Sequence, residues 1–164
     1  MSQTQPGPDT AGKTLSIRTF SGVIRTRGED TRGLLAVIEH TLPPGRIAMP
    51  LHRHEKETET TYVLEGTLSI QLGKRVTRAG PGSCIVKPAG VFHTFWNEGD
   101  RPARFLEMIS PAGLEAYYEE ISALVPHTGV IQIEKVLEVS RRYELEFDME
   151  SLFDIMSRHP VQLA

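Results

Sequence analysis

The sequence contains 164 residues, of which 39% are hydrophobic and 24% are charged, and its formal net charge is −3. This composition is typical of a globular domain with its own core, and it argues against a disordered or fibrous chain. Basic and acidic residues are mixed along the sequence, so nothing favours nucleic acid or a membrane surface as a partner. The longest apolar run, Leu34 to Ile38, is too short to cross a bilayer.

Cysteine usage and the first residues bear on the cellular compartment. The single cysteine, Cys84, excludes an intramolecular disulfide. The segment that begins at Met1 lacks the basic and apolar regions of a signal peptide. Both observations favour a reducing, cytoplasmic compartment. Cys84 stands beside Ile85 on an apolar stretch, which predicts a buried and unreactive thiol.

Three regions follow one another along the chain. Residues 1–13 are rich in proline, glycine, threonine and glutamine, which predicts a disordered tail. Residues 14–110 contain many short β-forming segments separated by turn signals, with no helical pattern between them. This texture predicts a mainly β domain, an antiparallel barrel or jelly roll. In residues 111–164 apolar residues recur at helical spacing, which predicts two or three α-helices packed on the barrel.

Residues that bind metals occur in two clusters. His52 and His54 would share one face of a strand, because alternate side chains of a strand point the same way. Glu59 follows across a charged segment, and His93 comes from a separate predicted strand. Three imidazoles and one carboxylate suit Fe, Mn, Ni, Cu or Zn better than Ca or Mg. An isolated His-x-His is more often a surface accident, so the interpretation depends on both clusters meeting.

The two clusters have the spacing of a known pair of motifs. The motif residues are His52, His54, Glu59 and Gly66 in the first cluster and Gly82, Pro88, Gly90, His93 and Asn97 in the second. In this spacing the chain resembles the cupins, a family of small antiparallel β-barrels. The resemblance implies one divalent transition metal per chain, with His52, His54, Glu59 and His93 as its ligands.

Further segments resemble one group within that family. Tyr62 to Gly66, Ala79 to Gly82 and Ser110 to Tyr118 are similar to the single-domain, quercetin-dioxygenase-like cupins. This implies a metal-dependent dioxygenase that acts on a small organic substrate, and a homodimer. Glu59 would then double as a catalytic proton acceptor. Two alternatives stay open: a non-catalytic cupin that binds a metal or small ligand, and a non-redox enzyme such as an isomerase.

Other residues receive simpler interpretations. Trp96 should face away from the barrel interior, towards a dimer interface. His40, His127 and His159 have no partners at ligand spacing, which predicts ordinary surface or strand residues. If the ligand histidines keep ordinary pKa values, metal affinity will weaken as the pH falls through roughly 6.5.

Overall fold

The structure is a computed structural model that describes residues 12–164. The predicted tail, residues 1–13, lies outside the described residues except for its last two positions. The strands are β1 (Thr14–Ile17), β2 (Phe20–Thr26), β3 (Ala36–Leu42), β4 (Arg46–Ile47), β5 (Leu51–His54), β6 (Thr58–Glu65), β7 (Leu68–Leu72), β8 (Arg75–Ala79), β9 (Cys84–Lys87), β10 (His93–Asn97), β11 (Ala103–Ser110), β12 (Leu145–Asp148) and β13 (Gln162–Leu163). The α-helices are α1 (Leu114–Leu124), α2 (Ile133–Arg142) and α3 (Glu150–Arg158).

Two sheets make up the barrel. The first has the strand order β1-β2-β3-β11-β6-β9. The second has the order β12-β5-β10-β4-β13, with β7 paired to β10 and β8 paired to β7. Within the described residues the strand pairs are antiparallel, except that β13 runs parallel to β4. The predicted fold class, an antiparallel β-barrel of jelly-roll type followed by helices, is therefore confirmed.

Strand alternation decides which side chains of the first sheet enter the barrel. On β6 the buried residues are Glu59, Thr61 and Val63, and their neighbours are more exposed. The register of the sheet places Lys87 of β9 opposite Glu59, and Glu107 of β11 opposite Thr61. Glu59, Lys87 and Glu107 therefore occupy inward-facing positions of their strands, as the aliphatic core residues do.

The outer face of the second sheet is covered by the end of the chain. His93 and Phe95 of β10 contribute to the barrel interior, whereas Trp96 packs on the other side against Leu152 and Ile155 of α3. Trp96 does face away from the interior, but α3 buries it completely. It is thus not available to a dimer interface, and the homodimer itself stays a prediction.

The exposure of Cys84 differs from the sequence-based interpretation. Cys84 is exposed. It begins β9, an edge strand of the first sheet, and it lies on the face of that strand opposite to the inward-facing Lys87. The prediction of a buried thiol is therefore wrong. The apolar neighbours along the sequence indicated a strand, but they could not show which of its faces points outward.

The region after the barrel supplies strands as well as helices. In β12, which pairs with β5, Leu145 lies opposite His54 and Phe147 lies opposite His52. The β13 strand extends the same sheet beside β4. Residues after 110 thus contribute two strands to the second sheet. The predicted domain boundary at residue 110 stays a prediction. Among residues 12–164, no helix is both long enough and apolar enough to span a membrane.

Candidate metal centre

Four buried side chains converge inside the barrel. His52, His54, Glu59 and His93 each offer one ligand atom, and these atoms all lie within 4.8 Å of one another. The β5 strand supplies His52 and His54, β6 supplies Glu59, and β10 supplies His93. Each of the four is 2% exposed or less. The structure therefore brings together every residue that the two sequence clusters predict as a ligand.

The glycine and asparagine of the second motif have structural roles. Gly90 has a φ of +75°, and its N–H donates a hydrogen bond of 2.7 Å to the His54 carbonyl. The turn that precedes His93 is thereby fastened to the strand that carries His54. The side-chain amide of Asn97 donates to the Arg101 carbonyl at 2.8 Å, and its oxygen accepts from the Gly99 N–H. Asn97 therefore shapes the turn after β10.

Backbone carbonyls orient two of the imidazoles. His52 Nδ1 lies 3.1 Å from the Pro50 carbonyl oxygen, and His93 Nδ1 lies 2.9 Å from that of Val91. A carbonyl oxygen only accepts hydrogen bonds, so Nδ1 carries a proton in both rings, and Nε2 of His52 keeps a lone pair. This is the usual arrangement of histidines that bind metals through Nε2.

Unsatisfied atoms in the cluster test whether a metal ion would fit. Among residues 12–164, neither ring nitrogen of His54 has a hydrogen-bond partner, and Glu59 Oε1 has none either. Buried polar atoms rarely lack a partner, and a cation bound between the four side chains would supply one. Three nitrogen donors and one carboxylate suit a divalent transition metal. The residues present therefore fit the metal that the cupin resemblance implies.

Burial and neighbouring charges set the protonation of the ligands. Burial lowers the pKa of His54 to about 4 and holds the pKa of His52 well below its usual value. Burial alone would raise the pKa of Glu59, but the Lys87 ammonium and the nearby His54 and His93 outweigh it and hold that pKa well below its usual range. At neutral pH, His52 and His54 are neutral and Glu59 is ionised, as metal binding requires. Protonation of His52 and His54 would consequently weaken metal affinity only at a pH below the 6.5 predicted from ordinary histidines.

Sequence reasoning missed three polar residues beside the cluster. The Lys87 side chain is fully buried, and its Nζ lies 2.8 Å from Oε2 of both Glu59 and Glu107. The Thr61 hydroxyl donates to the Glu107 carboxylate at 3.1 Å. Burial raises the pKa of Glu107 to about 7, although Lys87 opposes the shift. Two carboxylates thus share one ammonium. The sequence signal for this arrangement was the alternation that points these residues of β6, β9 and β11 into the barrel.

His40 lies on a strand, as the sequence interpretation allows, but it is buried in the core of the barrel. It is 1% exposed, and its ring stacks on Phe20 with centroids 4.6 Å apart. Gly22 makes room for it, since a Cβ at that position would lie 2.8 Å from His40 Nδ1. Burial lowers the pKa of His40 to about 3. His40 is therefore a neutral core residue, and a glycine across the strand pair is what permits it.

The low pKa of His40 predicts a pH-dependent stability. Its pKa is below the unfolded value of about 6.5, so the unfolded chain binds more protons at intermediate pH. The contribution of neutral His40 to the free energy of unfolding is complete above pH 6.5 and is lost as the pH falls towards 3. Between pH 7 and pH 5, urea titration should show wild type losing roughly 2 kcal/mol more of its free energy of unfolding than His40→Leu. His127→Leu, at an exposed position, should keep the wild-type slope, and parallel curves for wild type and His40→Leu would contradict the prediction.

Comparisons with known proteins agree with this geometry. Residues 38–109 match the family Cupin_2, described as a cupin domain. The barrel has the cupin fold. The matched segment contains all four clustered side chains, whereas the region after residue 109 lies outside it. No curated protein sequence matches the chain.

Solved structures share the cupin barrel at low sequence identity. KdgF from Halomonas sp. is 19% identical with a TM-score of 0.56, over 66% of this chain and 95% of that one. A predicted oxalate decarboxylase from Thermotoga maritima is 20% identical with a TM-score of 0.57, over 64% of this chain and 96% of that one. Streptomyces PAC13 with uridine is 15% identical with a TM-score of 0.54, over 71% of this chain and 88% of that one. At these identities the likeness concerns the fold.

An apolar cavity lies between the cupin barrel and the C-terminal helices. Its volume is about 120 Å³, and its lining includes Met49, Pro50, Tyr118 and Phe147. Phe147 also lies against His52, with ring centroids 5.7 Å apart. The Pro50 carbonyl accepts a hydrogen bond from the His52 ring. Two residues of the cavity wall, Pro50 and Phe147, therefore also contact a member of the cluster. The cavity is therefore separated from the cluster by little more than one aromatic ring.

Proposed function

We propose that this protein is a metal-dependent dioxygenase that acts on a small organic substrate. The observation that carries the proposal is the buried set of three imidazoles and one carboxylate, whose donor atoms lie within 4.8 Å of one another. A divalent transition metal held there would supply a centre that polarises a substrate oxygen and takes part in redox chemistry. The similarity of the surrounding segments to quercetin-dioxygenase-like cupins favours this chemistry over others that the fold can host.

The chain's own residues would bind, orient and exclude water. His52, His54 and His93 hold the metal, and carbonyl hydrogen bonds fix the rings of His52 and His93. Glu59 is assigned two roles, as the fourth ligand and as the proton acceptor. The Lys87 ammonium keeps the Glu59 carboxylate ionised and in place through its 2.8 Å contact with Oε2. Because every one of these groups is buried, a substrate would react in a site that water does not reach freely.

A second candidate is a non-redox cupin enzyme such as an isomerase. The Lys87–Glu107 pair favours it, because a buried ammonium and carboxyl next to the cluster can move protons without any change of oxidation state. A non-catalytic binding protein would need Lys87 to keep Glu59 ionised, but it would have no use for a second carboxyl, Glu107, with a pKa of about 7. The presence of the pair therefore ranks the isomerase-like candidate above simple binding.

Oxygen uptake tests the proposed function. Natively purified protein would be analysed for metal and then reconstituted separately with Fe, Mn, Ni, Cu and Zn. An oxygen electrode would follow each form with a panel of flavonols, diketones and thiols. We expect oxygen uptake that requires both one metal and one substrate class. The control variant Glu55→Gln, at an exposed position beside the cluster, should retain this uptake.

Two results would contradict the oxygenase proposal in different ways. A protein that neither contains nor takes up metal removes its basis altogether. Conversion of a panel compound at equal rates with and without oxygen would instead support the isomerase-like candidate. In that case Glu107→Gln should slow the conversion while the metal content of the protein stays unchanged.

A further inference from the structure

The apolar cavity contains one charged side chain whose bonding is incomplete. Within the described part of the chain, Arg18 is the one lining residue with a charged side chain, and most of the other lining residues are aliphatic or aromatic. Among residues 12–164, Arg18 Nε is buried without a hydrogen-bond partner, and the guanidinium makes no ion pair. One hydrogen bond, from Nη2 to the Gly129 carbonyl at 3.2 Å, holds it. A buried donor without a partner is costly, so this atom calls for an acceptor.

The backbone presents Arg18 to the cavity in an unusual conformation. Its φ is +52°, in the left-handed region that residues with a Cβ rarely adopt. The carbonyl of the same residue accepts a hydrogen bond from the His127 ring. Contacts from residues 127–129 therefore secure the β1–β2 turn from both the carbonyl and the guanidinium. Backbone strain of this kind persists where the surrounding structure holds it, and it clusters at functional sites.

We infer that this cavity binds a small carboxylic acid with an apolar body. The guanidinium fork of Arg18 matches the planar shape and charge of a carboxylate. The remaining walls are mostly apolar and include Phe20, Ile121, Val136 and Phe147, which suit the apolar part. At about 120 Å³ the cavity is smaller than the pockets of drug-sized ligands, so it selects a single ring or a short branched chain.

The position of the cavity connects this ligand to the proposed function. Phe147 belongs to the cavity wall and also covers His52, so an acid bound beside it lies next to the metal cluster. We assign this acid as the substrate class of the proposed dioxygenase, a step that rests on the proposed function and requires the Phe147 ring to move aside. Binding of the acid does not rest on it, because none of the four clustered side chains lines the cavity.

Calorimetric titration of the natively purified full chain tests the inference with benzoate and its neutral analogue benzyl alcohol. We expect benzoate to bind at least tenfold more tightly than benzyl alcohol. Arg18→Gln should weaken benzoate at least tenfold and leave benzyl alcohol unchanged. Arg75→Gln, at an exposed position on β8, is the matched control and should leave both affinities unchanged. Val136→Phe, which fills the cavity, should weaken both ligands.

The outcomes separate this site from the catalytic proposal. Equal affinities for the two ligands, no benzoate binding at millimolar concentration, or an Arg18→Gln variant that binds benzoate like wild type would each overturn the inference. Benzoate binding that survives in His93→Ala supports it, since the acid is then held by the cavity and not by metal. If benzoate binds through Arg18 but neither the panel compounds nor a set of small aromatic and branched-chain carboxylic acids drives oxygen uptake, the dioxygenase proposal fails and the binding site stands.

Discussion

Replacing His93 by alanine is expected to reduce bound divalent metal from about one ion per chain to less than about a tenth of that value. His93 is the only member of the cluster that comes from β10, and its ring faces the carboxylate of Glu59 with Nε2 3.0 Å from Oε2. Its loss removes one of the four donors and opens the cluster on that side. Elemental analysis of natively purified His93→Ala, followed by equilibrium dialysis with the metal found in wild type, measures the effect.

Two further measurements give the His93 result its meaning. His127→Ala changes an exposed histidine outside the cluster, so it should retain the wild-type metal content. Circular dichroism of His93→Ala should show the strand content of wild type, which distinguishes a lost ligand from a lost fold. A correctly folded His93→Ala variant that still carries a full complement of metal would remove His93 from the ligand set.

The second large effect is expected at Lys87. Lys87→Met should lower the free energy of unfolding by roughly 3–5 kcal/mol, because it leaves buried carboxylates without their counter-charge. Glu59 and Glu107 both accept from the same ammonium, and both are 1% exposed. Methionine keeps most of the side-chain volume, so the loss reports the charge and not a cavity. Urea unfolding monitored by circular dichroism measures it.

Matched variants check the origin of this loss. Lys74→Met removes an exposed lysine from the β7–β8 turn and should change the free energy of unfolding by less than about 0.5 kcal/mol. The double variant Lys87→Met, Glu107→Gln should be more stable than Lys87→Met alone, since one of the two unpaired carboxylates is gone. The loss in Lys87→Met should also be smaller at pH 5 than at pH 8. Glu107, with a pKa of about 7 even beside Lys87, is protonated at the lower pH. A single variant as stable as wild type at both pH values would refute the argument.

The ligand set was accessible from the sequence because its chemistry is local and periodic. His52 and His54 share a strand face by simple alternation, and His93 lies at a fixed spacing from Pro88 and Gly90. The strands that hold them follow from turn residues and β-forming segments. Glu59 required only that a short charged loop return the chain to the same point. The spacings within each cluster involve neighbours a few positions apart, whereas the meeting of His93 with the first cluster is what the cupin resemblance implied.

The polar network around the ligands was not accessible in the same way. Lys87 and Glu107 lie on different strands, and only the register of β6 with β9 and β11 brings both beside Glu59 and Thr61. Register and facing are properties of the assembled sheet, and a shift of one residue would reverse them. The burial of His40 was not accessible for a related reason, since the glycine that accommodates its ring belongs to another strand.

The pairing of β12 with β5 ties the end of the chain to the cluster. Phe147 lies opposite His52 and Leu145 opposite His54, so the strand that presents two imidazoles is also the strand on which the C-terminal segment docks. Two events on one strand share a coupling free energy, and the coupling is reciprocal. If a bound metal changes the equilibrium constant for docking of β12 by some factor, docking of β12 changes the affinity for metal by the same factor. Cleavage between α2 and β12, where it undocks β12, would therefore change the affinity for metal by that same factor without altering any of the four clustered residues.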